Sequence, residues 1–259
     1  MTETPGALIA AEIAEQGEVW ARLAHSPEID RAAAFVAKVA PRVIVLAARG
    51  TIDHAAIYGQ YLAQAKLAVP SFLATPGLAT LFDVASFPCG SLLIVLSQSG
   101  ASPDLLATIS AARAEGIPTL AITNNLDSPL AQGADHHLDL DTGPENSVAA
   151  TKSYTVELVA LYCLVEQLRE GGASTARGTI AVLADTFEKR IPSLTEHADA
   201  LVASIADSDR ALIVGRGFSF ATAKEGALKL METSARVASG WSAADAKHGP
   251  LGQVVEGTQ

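Results

Sequence analysis

Leu92-Leu93-Ile94-Val95-Leu96-Ser97-Gln98-Ser99-Gly100-Ala101-Ser102-Pro103-Asp104 sets an unbroken apolar run against a short serine-rich turn. A continuous run, as opposed to an alternating one, marks a strand buried on both faces. Pro103 suits the first position of a helix and Ser102 its N-cap, so the stretch is predicted to pass from strand through tight turn into helix. The same order recurs along the chain. VIVLAA (Val43 to Ala48) leads into RGTIDHAAIYGQYLAQ, VPSFLAT (Val69 to Thr75) into a stretch around LATLFDVA, and PTLAITN (Pro118 to Asn124) into SPLAQGA. HHLDLD is expected to add an edge strand and TKSYTVELVALYCLVEQLRE a long helix. Strands alternating with helices at this spacing predict an α/β chain with a doubly wound parallel sheet, whose ligands sit beyond the carboxyl ends of the strands.

A repeat extends this pattern. RVIVLAARGT (Arg42 to Thr51) is echoed by RALIVGRGFS (Arg210 to Ser219), each with an Arg, a buried strand, an Arg-Gly turn and then a helix. Two copies of one αβα unit are expected. The organisation that follows is a helical segment over 1–40, a first unit over 41–170, a helical linker over 171–208 and the start of a second unit over 209–259. A second unit as long as the first would run past Gln259, so it is expected to be truncated, with one strand of its sheet complete.

Composition narrows the function classes. The 259 residues carry 18 Lys plus Arg against 28 Asp plus Glu, a formal charge of -10, and the basic residues are scattered. A nucleic-acid partner needs a dense basic face, so this balance argues against one. Cys89 and Cys163 lie far from each other and from any metal-ligand spacing, and are expected to be buried thiols of a reducing compartment. The N-terminus lacks a basic start followed by an apolar block, and the longest apolar stretch is interrupted by Glu157 and Glu166. A soluble, cytoplasmic protein without a membrane partner is expected.

The serine turn is the first candidate for chemistry. It brings Ser97, Gln98, Ser99 and Ser102 to a helix N-terminus, where free N–H groups and partial positive charge favour phosphate. A nucleophile elbow would need Gly where Ser97 stands, and a P-loop would need Gly-Lys-Ser/Thr, so binding of a phosphoryl group without its transfer is expected. The second candidate is Glu225, Lys229 and Glu232, spaced four and three apart on one helical face. Taken alone, that spacing fits a solvated salt-bridge stripe. The third is His248 in KHGPL, which by itself fits a loop hydrogen-bonder. GRGFSFA has Phe220 where a dinucleotide fold needs its third glycine. In HHLDLD, alternation puts His136 on the face of Leu138 and Leu140, away from His137 and the acids, so no metal site and no organic cofactor are expected.

ARGTIDHAA, SQSGASPD, NNLDSPLA, GPENSVAATKSYT, EGALKLMET and KHGPL occur in the order found in the SIS (sugar isomerase) domain family. The chain resembles the isomerase half of glucosamine-6-phosphate synthase and the free-standing amino-sugar-phosphate deaminases and isomerases. This resemblance implies a flavodoxin-like three-layer αβα fold and a sugar phosphate, a hexose phosphate or amino-sugar phosphate, resting on Ser97, Gln98, Ser99, Ser102 and Thr51, with Val148 touching the sugar. It implies Glu232 as the base that moves a proton between C1 and C2, Lys229 as its neighbour, and His248 as the ring-opening group, supplied by the other subunit of a homodimer. Chemically, a carboxylate that reaches both carbons from one side meets the need of a ketose-aldose shift without a metal. The pattern departs at Ile52, where the family usually has Ser, and at Val237-Ala238-Ser239, where it usually has His-Ala-Glu. The chain begins Met1-Thr2-Glu3, with no N-terminal Cys of a glutamine-hydrolysing domain, so an aldose-ketose isomerase that releases amine is expected. A fructosamine-phosphate deglycase and a non-catalytic sugar-phosphate sensor are the alternatives.

Overall fold

A computed structural model describes residues 6–84, 86–169, 175–255 and 258. Helices α1 (Ala7–Ala14), α2 (Gln16–Ala24) and α3 (Pro27–Val39) open it. The start of α3 is fixed by Pro27 at its first position and by Ser26, whose hydroxyl accepts from the Glu28 N–H. The first unit continues through β1 (Val43–Ala47), α4 (Thr51–Leu67), β2 (Ser71–Leu73), α5 (Gly77–Phe82), β3 (Ser91–Ser97), α6 (Pro103–Ala114), β4 (Thr119–Thr123), α7 (Pro129–Gly133), β5 (His136–Asp139) and α8 (Lys152–Arg169). The strands form one parallel sheet in the order β2-β1-β3-β4-β5. The doubly wound expectation therefore holds, and its order places the reversal between β1 and β3.

Alternation along the buried strands sorts the core into two layers. Ile44, Leu46, Leu92, Ile94 and Leu96 pack with α2, α3, α4 and α8 on one face. Val45, Leu93 and Val95 pack with Leu105 and Ile109 of α6 and Leu130 of α7 on the other. Every residue of β3 is buried, as the central strand of a sheet covered on both faces must be. In β5, His136 stacks on Phe35 at 5.1 Å, whereas His137 Nε2 lies 2.9 Å from Thr123 Oγ1. The two imidazoles thus belong to opposite faces. Cys163 is buried but Cys89 is exposed. Cys89 occupies the turn before β3, outside any apolar run, which corrects the expectation of two buried thiols.

Helix α9 (Ala176–Ile205) leads to β6 (Arg210–Gly215), α10 (Ser219–Ser234) and β7 (Val237–Ser242), followed by short 3-10 turns at Asp245–His248 and Pro250–Gln253. Strands β6 and β7 pair in parallel from Arg210↔Val237 to Gly215↔Ser242, and Arg210 also bridges Thr258 in parallel. The second unit therefore holds two complete strands where the sequence suggested one. Its layout repeats that of β1, which pairs in parallel with both β2 and β3. The turns match as well: Gly50 has φ 61° and Gly217 φ 59°, a region that an L side chain rarely adopts. No helix among the described residues is long and apolar enough to cross a membrane.

Leu93 is fully buried between β3 and α6. Leu93→Ala is expected to destabilise the chain by about 2 to 5 kcal/mol. Urea unfolding measures this, and a loss below about 0.5 kcal/mol, typical of surface positions, would contradict the layer assignment.

Candidate active site

The serine turn follows β3 directly. Ser97 is buried, and its Oγ accepts from the Gly100 N–H at 3.1 Å. Ser99 Oγ accepts a long bond of 3.4 Å from the Ala101 N–H. Gly100 has φ 65°, and a Cβ there would lie 2.2 Å from Ser128 Oγ, so only glycine fits. The turn is also tied to its neighbour after β4: the Asn124 N–H donates to the Gln98 carbonyl at 3.2 Å, and the Leu130 N–H to the Gly100 carbonyl at 3.0 Å. Ser102 stands at the N-cap of α6, yet its hydroxyl makes no capping bond. The hydroxyls are therefore not consumed in closing the helix, and the first-turn N–H groups of α6 keep their capacity for an anion.

A second turn, after β1, lies alongside. Arg49 Nη2 and Nε contact Asp104 Oδ2 at 2.5 and 3.1 Å, and Thr80 Oγ1 donates to Asp104 Oδ1 at 2.9 Å. These bonds from Arg49 and then Thr80 hold the Asp104 carboxyl below its usual range. They also join the Arg-Gly turn to the first turn of α6. Ile52, the second residue of α4, belongs to the buried core, so the side chain that replaces the family's Ser points into the core.

Helix α10 meets this turn from the other side. Lys229 Nζ donates to Thr51 Oγ1 at 2.9 Å and to Glu232 Oε2 at 2.6 Å, and lies 3.2 Å from Glu225 Oε1. The other oxygen of Glu225 is 2.7 Å from His54 Nδ1. The Glu225 side chain is only 7% exposed and that of Glu232 31% exposed, so the row is buried at its Glu225 end and opens to solvent at Glu232. One lysine thus joins the turn that carries Thr51 to the carboxylate of Glu232.

The segment before α8 is held by buried acids. Glu12 on α1 accepts from the N–H of Asn146 at 2.5 Å and of Ser147 at 3.2 Å, and from the Ser147 hydroxyl. Burial pushes its carboxyl up, but those three donors outweigh it and leave Glu12 below the usual range. Glu145 Oε1 accepts from the N–H groups of Thr151 and Ser153 at 2.8 and 3.2 Å, capping α8. Buried Lys152 pairs with Glu15. Val148, between these anchors, is 98% exposed. Glu157 is wholly buried, and among the described residues neither carboxyl oxygen has a hydrogen-bond partner. Burial, reinforced by Glu145 and Glu225, pushes its carboxyl well above the usual range.

The structure brings Ser97, Gln98, Ser99 and Ser102 into one turn, and Thr51, Lys229 and Glu232 into one bonded group. It leaves His248 apart: the residue is exposed at the end of a 3-10 turn, and among the described residues no hydrogen bond joins it to that group. Ala238 and Ser239 line a cavity of 550 Å³ between α10, β7 and Gly50, and Ser239 Oγ donates to Gln253 Oε1 at 2.9 Å. Sequence reasoning passed over His54, Glu12 and Glu145. Only the position of His54, three residues after Thr51 on the same helical face, offered a signal.

The model of the SIS domain family matches residues 39–167 and 204–258. The chain belongs to the SIS domain family. Among curated relatives, it is 33% identical over 217 residues to a glutamine–fructose-6-phosphate aminotransferase (isomerizing) of Pyrococcus horikoshii, covering 83% of this chain and 36% of that protein. The chain thus spans about a third of the length of that relative. Among solved structures, it resembles a candidate phosphosugar isomerase of Silicibacter pomeroyi at 31% identity and a TM-score of 0.84, covering 93% of this chain and 73% of the other. It also resembles the C-terminal domain of a glucosamine-fructose-6-phosphate aminotransferase of Francisella tularensis, at 27% identity and a TM-score of 0.78, covering 97% and 74%.

Because folding raises the Glu157 pKa above its ordinary 4.5, the folded chain holds more protons than the unfolded one above that pH. Stability from this group is full below pH 4.5 and is lost as pH rises towards the folded pKa. Each pH unit in that interval costs up to about 1.4 kcal/mol. Glu157→Gln cannot ionise, so its melting temperature is expected to fall less between pH 5 and pH 8 than that of the parent. An unchanged pH dependence would contradict the buried, neutral carboxyl.

Proposed function

We propose that this chain is a sugar-phosphate isomerase domain acting on an amino-sugar phosphate, with Glu232 as base. The bond of Lys229 to both Thr51 and Glu232 carries the reading, because it ties a carboxylate to the turn after β1, which Arg49 in turn joins to the first turn of α6 beside the serine turn. The phosphate rests on the hydroxyls of Ser97, Ser99 and Ser102, the amide of Gln98 and the first-turn N–H groups of α6. Each charge-assisted bond contributes about 1.5 to 3 kcal/mol. Thr51 adds its hydroxyl while still accepting from Lys229.

With the phosphate so held, C1 and C2 of the open-chain sugar lie towards Glu232. The carboxylate takes the proton from C2 of the amino aldose, electrons move into the C1–C2 bond, and the developing negative charge on O1 is met by the Lys229 ammonium. Returning the proton to C1 leaves an imine at C2. Water adds to that carbon and ammonia leaves, giving the ketose phosphate. Ring opening before these steps is assigned to His248 of a second copy of the chain, since an imidazole gives and takes a proton near neutral pH. In this reading the active unit is at least a dimer. The family's contact at Val148 is likewise completed by the sugar or by that second copy, since the side chain faces solvent.

Glu232→Gln keeps the shape of the site and removes the base. Its turnover is expected to fall by at least about 100-fold, within the contribution of a positioned general base. Binding of fructose 6-phosphate, followed by calorimetry, is expected to stay within threefold of the parent. Equal turnover by both proteins would remove Glu232 from the chemistry. A panel of amino-sugar phosphates assayed for ammonia and ketose phosphate tests the reaction itself. Release from glucosamine 6-phosphate is expected, and binding with no release from any member would make the chain a plain isomerase or a sensor.

A further inference from the structure

We infer that His54 and Glu225 form a positioning pair that sets the register of the base helix α10 against the phosphate-side helix α4, an inference that rests on the isomerase reading above. A carboxylate has no proton to give, so the 2.7 Å bond runs from His54 Nδ1–H to Glu225 Oε2. His54 follows Thr51 by three residues on α4, and Glu225 precedes Lys229 by four on α10, so the two helices are clasped twice along facing sides. One clasp is Thr51 to Lys229 at 2.9 Å and the other is His54 to Glu225.

The two clasps do different work. Lys229 is a long, flexible side chain and follows small movements of its helix, whereas His54 and Glu225 are short and have 12% and 7% exposed side chains. The short pair therefore fixes where α10 lies. A slide of one residue along α10 would move Glu232 by about 1.5 Å. Misplacement of about 1 Å at a reacting group costs on the order of 100-fold in rate.

The pair also decides which acid holds the lysine. Lys229 Nζ is 2.6 Å from Glu232 Oε2 but 3.2 Å from Glu225 Oε1. Glu225 can leave the nearer place to Glu232 because His54 satisfies its other oxygen. Without His54, the buried Glu225 carboxylate keeps Lys229 as its nearest partner among the described residues and draws the ammonium away from Glu232. Nothing in this arrangement requires His54 to touch the sugar, so it is a positioning residue.

The test uses fructose 6-phosphate in deuterium oxide, with proton NMR following deuterium entry at C1, on the parent and on His54→Leu and His54→Asn. Asparagine keeps an N–H donor near the place of Nδ1. Melting curves confirm that each variant is folded. The expected result is a fall in the saturated exchange rate of about 10- to 100-fold for His54→Leu. A KM within twofold of the parent and recovery to within about fivefold in His54→Asn complete the expectation. Exchange by His54→Leu within threefold of the parent would overturn the positioning role. Loss of rate with KM raised in step, or no rescue by asparagine, would also overturn it. Absence of exchange in the parent would instead overturn the isomerase reading on which the inference rests.

Discussion

A single ammonium group, Lys229 Nζ, lies 2.9 Å from Thr51 Oγ1 and 2.6 Å from Glu232 Oε2, so it spans the boundary between the two structural units. Thr51 begins the helix after the first strand of the five-stranded sheet, and Glu232 lies on the helix between the two strands of the smaller sheet. Neither unit contains the candidate site alone. The sheet supplies the serine turn at the carboxyl ends of its strands, and α10 supplies the Glu232 carboxylate. What makes them one site is the contact between α4 and α10, held by charge-assisted bonds in a partly buried seam, where such bonds are stronger than in water.

The turns beside this seam are heavily braced. Two turns feed it, after β1 and after β3, and each is tied sideways. Arg49 reaches Asp104 on α6, and the carbonyls of Gln98 and Gly100 accept from the segment after β4. Gly100 stands too close to Ser128 for any side chain, so the turn and the next loop move together. Below them, Glu12 and Glu145 hold the backbone of residues 146–153, which makes the N-terminal helices part of the site's scaffold. Rigid support of this kind is what a site needs if it is to hold a substrate between two distant groups.

Much of this was legible in the sequence because it is written in local pattern. The runs around Val43, Leu92 and Thr119 are continuous and apolar, and they form central strands. Ser102 and Pro103 mark the start of α6. β7 was passed over because its sequence, Val-Ala-Ser-Gly-Trp-Ser, has no apolar run, and its strand form comes from pairing with β6. Cys89 was misread as buried because burial was inferred from residue type alone. The pair of His54 with Glu225, and that of Glu12 with the segment at Ser147, join residues 171 and 135 positions apart. No spacing rule reaches across such distances, so only the fold reveals them. Glu225, Lys229 and Glu232 show the middle case: their common face was readable, but not that its Glu225 end is buried against α4.

In the function proposed above, the serine turn and Glu232 grip the two ends of one sugar phosphate. A crystal structure of the chain with fructose 6-phosphate tests this most directly. The phosphorus is expected over the N-terminus of α6, within hydrogen-bond distance of the Ser97, Ser99 and Ser102 hydroxyls, with C1 and C2 beside the Glu232 carboxylate. A sugar phosphate bound instead in the cavity between α10 and β7, with the serine turn left free, would contradict it.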